Sequence, residues 1–264
     1  MESQNTNKPV RNISADAIEN DGRYPAQRPE TETANTFDTK NYLNVRLGDN
    51  ELKKEIRIRV LPVDKDSDSP FKIVHMHTLK VPKDISPSGW KSYVCLEKAP
   101  EIDHERLGNK CPFCDANREA YEKFQNAKTD TEKELWKNIS LANKASRVGI
   151  LRCIERGHEE DGPKFWKFNL RKDEKDPMGT IKTLYNTRNK ESIDEGDGPF
   201  NILDIYNGKD LLLTINAVID EKTGKPNGKT TITITDYGKA KPLSQNDEDI
   251  ENWVNDTKKW CDVF

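Results

Sequence analysis

Three cysteines near the middle of this chain have the chemistry and spacing of metal ligands. Cys111 and Cys114 form a Cys-Pro-Phe-Cys pair, and Cys95 precedes them. Two thiolates separated by two residues can bind one tetrahedral zinc ion from a tight turn, and the site then needs two further ligands. Cys95 and a histidine would complete the set. We therefore expect one structural Zn²⁺.

Three histidines are candidates for the fourth ligand. His75 and His77 form a His-Met-His run and would point to the same face of a strand, because strand side chains alternate. His104 lies in the loop between the cysteines. Spacing alone leaves all three open.

A catalytic metal is the sharper alternative to a structural one. The run His158-Glu159-Glu160 matches the His-x-Glu of nucleic-acid deaminases, but here it follows the cysteine pair, whereas those enzymes have it before the pair. Four protein ligands also leave no open position for water. No nucleophile–base set is readable elsewhere. We therefore predict that the protein is not an enzyme.

A second group of residues has the chemistry of single-stranded nucleic-acid binding, in which cations follow the phosphates and aromatic rings stack on bases. Its members lie on or beside predicted strands. They are Arg57, Arg59, Lys144, Arg147, Lys164, Trp166, Phe168, Tyr185, Arg188 and Tyr206. A single aromatic residue on a strand is more often a core residue than a ligand contact. Only the whole set indicates a binding surface.

The elements that would position these residues are mostly strands. In EIRIRVLP, Ile56, Ile58 and Val60 share one face and Arg57 and Arg59 the other, which is typical of a half-buried strand. Further strand patterns cover 71–77, 146–154, 164–170, 211–219 and 229–236. Helical spacing runs from Phe113 to Phe124, and a capping box at Thr129 and Glu132 predicts a second helix.

This order predicts a mainly β protein with an α insertion. We expect an OB-fold, a five- to six-stranded Greek-key barrel, over 41–240, with a helical zinc-binding subdomain inserted at about 78–145. Residues 1–40 are polar and predict a disordered arm with at most a short helix at Ser14–Glu19. Residues 241–264 predict an acidic tail that binds partner proteins through its apolar anchors, Ile250, Trp253, Val254 and Trp260.

Composition narrows the class of protein. Only 33% of the 264 residues are hydrophobic and 34% are charged. No apolar run approaches the roughly 20 residues that span a membrane, and the N-terminus lacks a signal-peptide core. Three of the five cysteines have the spacing of metal ligands and not of disulfides, which fits a reducing cytoplasmic compartment. Of the other two, Cys153 lies in an apolar run and Cys261 has no readable partner. Net charges of −2 for 1–40 and −3 for 241–264 leave +2 for the body, which is compatible with a polyanion partner.

The order of these motifs resembles the single-stranded-DNA-binding proteins of T-even-like bacteriophages. The resemblance covers about 45–240. It rests on IRIRVLP, SPFKIVHMH, the Trp90 and Tyr93 that precede Cys95, CPFC, KASRVGILRCIERG, KFWKFNL and DIYNGKDLLLTI.

The resemblance implies an OB-fold with a zinc subdomain and a positively charged cleft for single-stranded DNA between them. It selects His77 as the zinc histidine, matches Arg59, Lys144 and Arg147 to phosphate-contacting residues, and places Trp166 and Phe168 on an aromatic strand. It also implies work in DNA replication, recombination and repair, in the host cytoplasm if the protein is phage-encoded. The tail, through Trp253 and Trp260, is expected either to contact replication proteins or to fold back on the cleft. Self-association on DNA is a further expectation.

Three features depart from that family. The loops on either side of Cys95 are longer, the N-terminal arm is longer and slightly acidic, and the acidic tail is shorter. Two other functions stay open: a single-stranded-RNA-binding or translational-repressor module, and a zinc-stabilised protein–protein scaffold.

Overall fold

Antiparallel strands dominate the part of the chain that the structure describes. The structure is a computed structural model and describes residues 40–264 apart from 65, 66, 68, 87, 99–109, 261, 262 and 264. The predicted arm with its helix at Ser14–Glu19, as well as His104 and Cys261, lie outside the described residues. The strands are β1 (Lys53–Leu61), β2 (Phe71–Lys80), β3 (Trp90–Val94), β4 (Ser146–Glu155), β5 (Lys164–Asn169), β6 (Gly208–Ile219) and β7 (Pro226–Lys241). The helices are α1 (Pro112–Asn126), α2 (Asp130–Asn143), α3 (Pro177–Asp194) and α4 (Asp247–Val254).

One sheet connects all seven strands, in the order β3-β2-β4-β1-β6-β7 with β5 paired to β4. β5 runs along one edge of β4, while β2 and then β1 run along the other. β1 changes its partner at Ile58, from β6 to β4. This pairing, with two helices inserted between β3 and β4, is consistent with an OB-like fold that carries a helical insertion.

The main core lies on the inner face of this sheet. Ile58, Leu151, Trp166 and Leu213 are at most 1% exposed there, and α3 adds Ile181. The segment before β1 belongs to the same core: Leu43 is fully buried, and its backbone N–H donates to the Phe165 carbonyl of β5 at 3.0 Å.

The C-terminal segment covers the outer face of the sheet. Trp260 is 6% exposed and packs in a cluster with Val74, Met76, Val148, Ile150 and Phe165. Ile250 of α4 packs in a second cluster with Leu61, Ile154 and Leu243. The apolar spacing at 241–264 was therefore interpreted correctly as amphipathic, but its partner is the protein's own sheet.

A buried arginine fixes this segment. Arg152 on β4 is fully buried, and its guanidinium donates to the carbonyls of Trp253, Val254 and Asp256. The last carbonyls of a helix have no partner within the helix. Arg152 therefore satisfies the end of α4 and ties it to the sheet.

The predicted strands and the first two helices are confirmed. Pro112 occupies the first turn of α1, and the Thr129–Glu132 capping box starts α2. Sequence reasoning missed β3 and α3. The Asp176 side chain caps α3 by accepting from the Gly179 N–H at 3.0 Å, so the Asp176-Pro177 pair marks the start of this helix.

The proposed boundaries of the domains stay predictions. The range 78–145 contains β3, α1 and α2. No helix in the described ranges is long and apolar enough to cross a membrane.

Candidate metal centre and nucleic-acid interface

Four ligand side chains meet between β2, β3 and α1. His77 comes from β2, Cys95 directly follows β3, Cys111 is the N-cap of α1, and Cys114 lies in the first turn of that helix. All four are buried, with Cys114 the most exposed at 7%. Their ligand atoms lie within 4.8 Å of one another.

The distances within this cluster fit a tetrahedral ion. His77 Nε2 lies 3.3 Å from Cys111 Sγ and 3.7 Å from Cys114 Sγ, and Cys114 Sγ lies 3.5 Å from Cys95 Sγ. Zinc bonds of about 2.3 Å to sulfur and 2.0–2.1 Å to nitrogen would place tetrahedral ligand atoms roughly 3.5–3.8 Å apart. The four residues could therefore bind a metal ion as a closed set.

A backbone contact orients the histidine. His77 Nδ1 lies 2.9 Å from the Asn143 carbonyl at the end of α2. A carbonyl can only accept, so Nδ1 carries the proton and Nε2 presents its lone pair to the cluster. His75 is outside the cluster, although its carbonyl accepts the Cys95 N–H at 2.8 Å. His77 is thus the histidine that this geometry favours.

The thiols have opposite pKa shifts. Burial raises the pKa of Cys111, but hydrogen bonds from the backbone of Cys114, Leu96 and Phe113 outweigh burial and lower it overall. Burial, and then the neighbouring Cys95, raise the pKa of Cys114 to about 12. Several thiolates cannot ionise together in this buried space without a cation, so the donor set itself favours a bound metal.

Four residues predicted to contact DNA are buried instead. Trp166 and Phe168 are 1% and 8% exposed and pack in the main core with their ring centroids 5.1 Å apart. Lys164 is 3% exposed and lies between Glu155 at 2.7 Å and Asp161 at 2.9 Å. The prediction of DNA contact is wrong for these three residues because inward-facing strand positions take up their side chains.

Arg59 is the fourth buried residue, and it has a structural role. Its Nη2 donates to the carbonyls of Asp204 at 2.7 Å and Lys241 at 2.8 Å. The alternation that predicted an outward Arg59 fails because both faces of β1 are buried beyond Ile58, where the C-terminal segment covers the outer face. Arg59 therefore cannot reach a phosphate at the surface.

Asp210 centres a small buried charge cluster beside Arg59. Asp210 lies 3.7 Å from the Arg59 guanidinium, 2.8 Å from Arg156 and 3.1 Å from Lys241. Burial alone would raise the pKa of Asp210, but hydrogen bonds and charge from Arg156 and then Lys241 lower it below its ordinary value. This carboxylate is therefore kept ionised by its neighbours.

The other predicted contacts are at least partly accessible. Lys144, Arg147 and Tyr206 are exposed, with Tyr206 at 64%. Arg57 is exposed and its guanidinium lies over the Tyr237 ring, 5.3 Å from the centroid. Two others are engaged within the protein: Tyr185 packs against the main core, and Arg188 pairs with Asp236 at 2.7 Å and Glu191 at 2.6 Å.

A cation cluster beside the metal ligands adds one residue that sequence reasoning missed. His75 pairs with Arg147 across β2 and β4, and its pKa is lowered by burial and by the charges of Lys98 and Arg147. Lys98 follows the ligand Cys95 by one turn, with its N–H donating to the Cys95 carbonyl at 3.2 Å. The neighbouring acid, Glu97, is engaged by Arg118 at 3.0 Å. Among the described residues, the charged groups that act on His75 are therefore positive.

A row of three paired residues, two of them apolar, adjoins these cations on the same face of the sheet. Ile73 pairs with Gly149 of β4, which in turn pairs with Phe168 of β5. A Cβ on Gly149 would lie only 2.4 Å from Phe168 Cε2, so the glycine lets the ring lie across β4. Ile73 is 38% exposed, and it brings apolar surface next to Arg147.

A family model described as gp32 DNA binding protein like matches residues 54–259, which is most of the chain. The matched range includes all four candidate metal ligands and the cation cluster. A search of curated proteins finds no significant match.

Proposed function

Because this chain belongs to the gp32-like family of DNA-binding proteins, we propose that it binds single-stranded DNA with little sequence preference. The proposed binding surface is the positive region beside the metal centre, on β2, β4 and the turn after β3. Lys98, Lys144 and Arg147 would contact phosphates, and Ile73 would meet the bases. The cation cluster around His75 is the observation that carries this proposal. Its positive charges can contact phosphates, which are the same in every sequence, so binding there would depend little on the bases.

The metal in this proposal is one structural Zn²⁺. His77, Cys95, Cys111 and Cys114 would hold it, and the ion would supply the positive charge that the thiolates need. Bound there, it would fix β3 and α1 against β2. That arrangement keeps Lys98, which follows Cys95, close to Arg147 on β4.

The proposed biological role is protection and organisation of exposed single strands during DNA replication, recombination and repair, and the proposal includes no catalysis. We do not propose the C-terminal segment as a docking site for partner proteins. Its anchors Ile250 and Trp260 are 3% and 6% exposed and pack on the sheet.

Binding of a fluorescently labelled oligo-dT, followed by anisotropy, tests the proposed surface. Arg147→Gln and Lys98→Gln should each weaken binding, whereas Lys182→Gln on the exposed face of α3 should not. Equal affinities for all three variants would refute this surface. Competition with oligo-U separates a preference for DNA from one for RNA, and failure to bind either would favour a protein scaffold.

A further inference from the structure

Trp90 is the most exposed tryptophan in the protein. All five tryptophans lie in the described part of the chain, and Trp90 is 55% exposed. Trp166 and Trp260 are buried, and Trp136 and Trp253 are partly buried. An indole this accessible contributes little to the stability of the fold, so its exposure calls for another explanation.

The backbone holds Trp90 in a fixed position at the start of β3. Its carbonyl accepts hydrogen bonds from the hydroxyls of Ser86 at 2.8 Å and Ser88 at 3.0 Å. The Val81 N–H donates to the Gly89 carbonyl at 2.9 Å and closes the β2–β3 hairpin. At the other end of this hairpin lie two of the metal ligands. The indole therefore projects from a braced element.

One lysine shares a face of the hairpin with the indole. Lys80 pairs with Trp90 across the hairpin, so the two side chains share one face of it. Lys83 is also exposed, and Asp84 is the acid among the described residues from 80 to 91. Lys91 points to the opposite face, where its ammonium lies 5.6 Å from the centroid of the Tyr93 ring. The next pair on the face of Trp90, Thr78 and Ser92, is joined by a hydroxyl–hydroxyl hydrogen bond of 3.1 Å.

We propose that Trp90 and Lys80 form a second contact for single-stranded DNA, in which an unpaired base stacks on the indole and Lys80 meets a phosphate. This inference rests on the proposed function. It adds a site outside the positive region around His75. An exposed ring beside a cation is the combination that holds single-stranded DNA without reading its sequence.

The path of the bound DNA follows from the geometry of β2. Lys80 lies five residues from His75, or about 17 Å along the strand. Odd-numbered and even-numbered residues of β2 point to opposite faces, so Trp90 and His75 lie on different faces. Because β3 is at the edge of the sheet, a single-stranded DNA bound at His75 reaches Trp90 by passing around that edge. Trp90 should therefore matter more for long oligonucleotides than for short ones.

Intrinsic fluorescence and labelled-oligonucleotide anisotropy test this site together. Long oligo-dT should quench the unaltered protein and Trp136→Phe, which removes a partly buried tryptophan on α2, while Trp90→Phe should lose most of the quenching. Trp90→Ala should weaken binding of long oligo-dT by about 5- to 150-fold, and Trp90→Phe much less, since phenylalanine keeps a stacking ring.

The outcomes separate the two proposals. If the unaltered protein binds oligo-dT, but Trp90→Ala binds equally well or Trp90→Phe is quenched as before, the stacking site is wrong and the proposed function stands. If the unaltered protein binds no oligo-dT at all, both fail. Circular dichroism of each variant shows whether it is folded, which the exposure of Trp90 leads us to expect.

Discussion

Replacing Trp260 with alanine should strongly destabilise the protein. The side chain is 6% exposed and packs in the cluster of Val74, Met76 and Phe165 on the outer face of the sheet. Truncating a buried tryptophan to alanine typically costs about 3–5 kcal/mol. For a domain of this size, each kcal/mol lowers the melting temperature by about 2–4 °C, so the expected fall is roughly 6–20 °C.

Thermal and urea unfolding followed by circular dichroism measure this effect. Trp90→Ala is the matched control, because it removes the same side chain at a 55% exposed position and should change stability by less than about 0.5 kcal/mol. Below its melting temperature, Trp260→Ala should bind oligo-dT as the unaltered protein does. If the two variants were equally stable, or if Trp260→Ala bound DNA more tightly, the C-terminal segment would be a detachable tail and not part of the core.

Three further changes test other parts of the structure. Cys114→Ser should abolish retention of stoichiometric zinc in protein purified without chelator, as measured by elemental analysis, and retention of that zinc by the variant would argue against the ligand set. Acidification should weaken the fold below about pH 4. The pKa of Asp210 is lower in the folded protein than its ordinary value of 3.8, so its ionised form stabilises the fold at pH values above 3.8, and this contribution is lost as the pH falls further. Asp210→Asn should flatten that part of the pH dependence of the urea midpoint; an unchanged profile would assign it to other groups. Gly149→Ala should destabilise the protein by about 1–3 kcal/mol, because the new Cβ displaces the Phe168 ring, and an unchanged urea midpoint would contradict that contact.

The candidate metal ligands were the most predictable part of this protein. Cysteine spacing carries a geometric constraint, and the two candidates Cys111 and Cys114 do meet Cys95 in the structure. The choice between His75 and His77 was not readable from spacing, since both share one face of β2. The contact of His77 with the Asn143 carbonyl, 66 positions along the chain, favours His77.

The nucleic-acid residues were less predictable because charge does not report burial. Arg57 and Arg59 have the same spacing relative to the apolar residues of β1, yet only Arg57 is exposed. The C-terminal segment covers Arg59, and the carbonyls of Asp204 and Lys241 accept its hydrogen bonds. Both partners lie far from Arg59 in the sequence. The same distant packing explains why the apolar spacing around Trp260 suggested a partner protein when the partner is β2 and β4.

Long-range packing also explains the missed helix α3. Its apolar residues are few, and only Ile181 is fully buried among its hydrophobic side chains. The local signal was the pair Asp176-Pro177, an N-cap followed by a proline in the first turn. That signal marks where a helix begins, but it does not reveal the core surface that the helix covers.

Salt dependence of single-stranded DNA binding tests the central proposal most directly. Anisotropy titrations of labelled oligo-dT at increasing salt should show affinity falling steeply, with a log–log slope of roughly −0.7 for each phosphate contact. Arg147→Gln should reduce the magnitude of that slope by about 0.7, since one cation leaves the surface. Binding that does not respond to salt, or a slope unchanged in Arg147→Gln, would contradict phosphate contact at the positive region beside the metal centre.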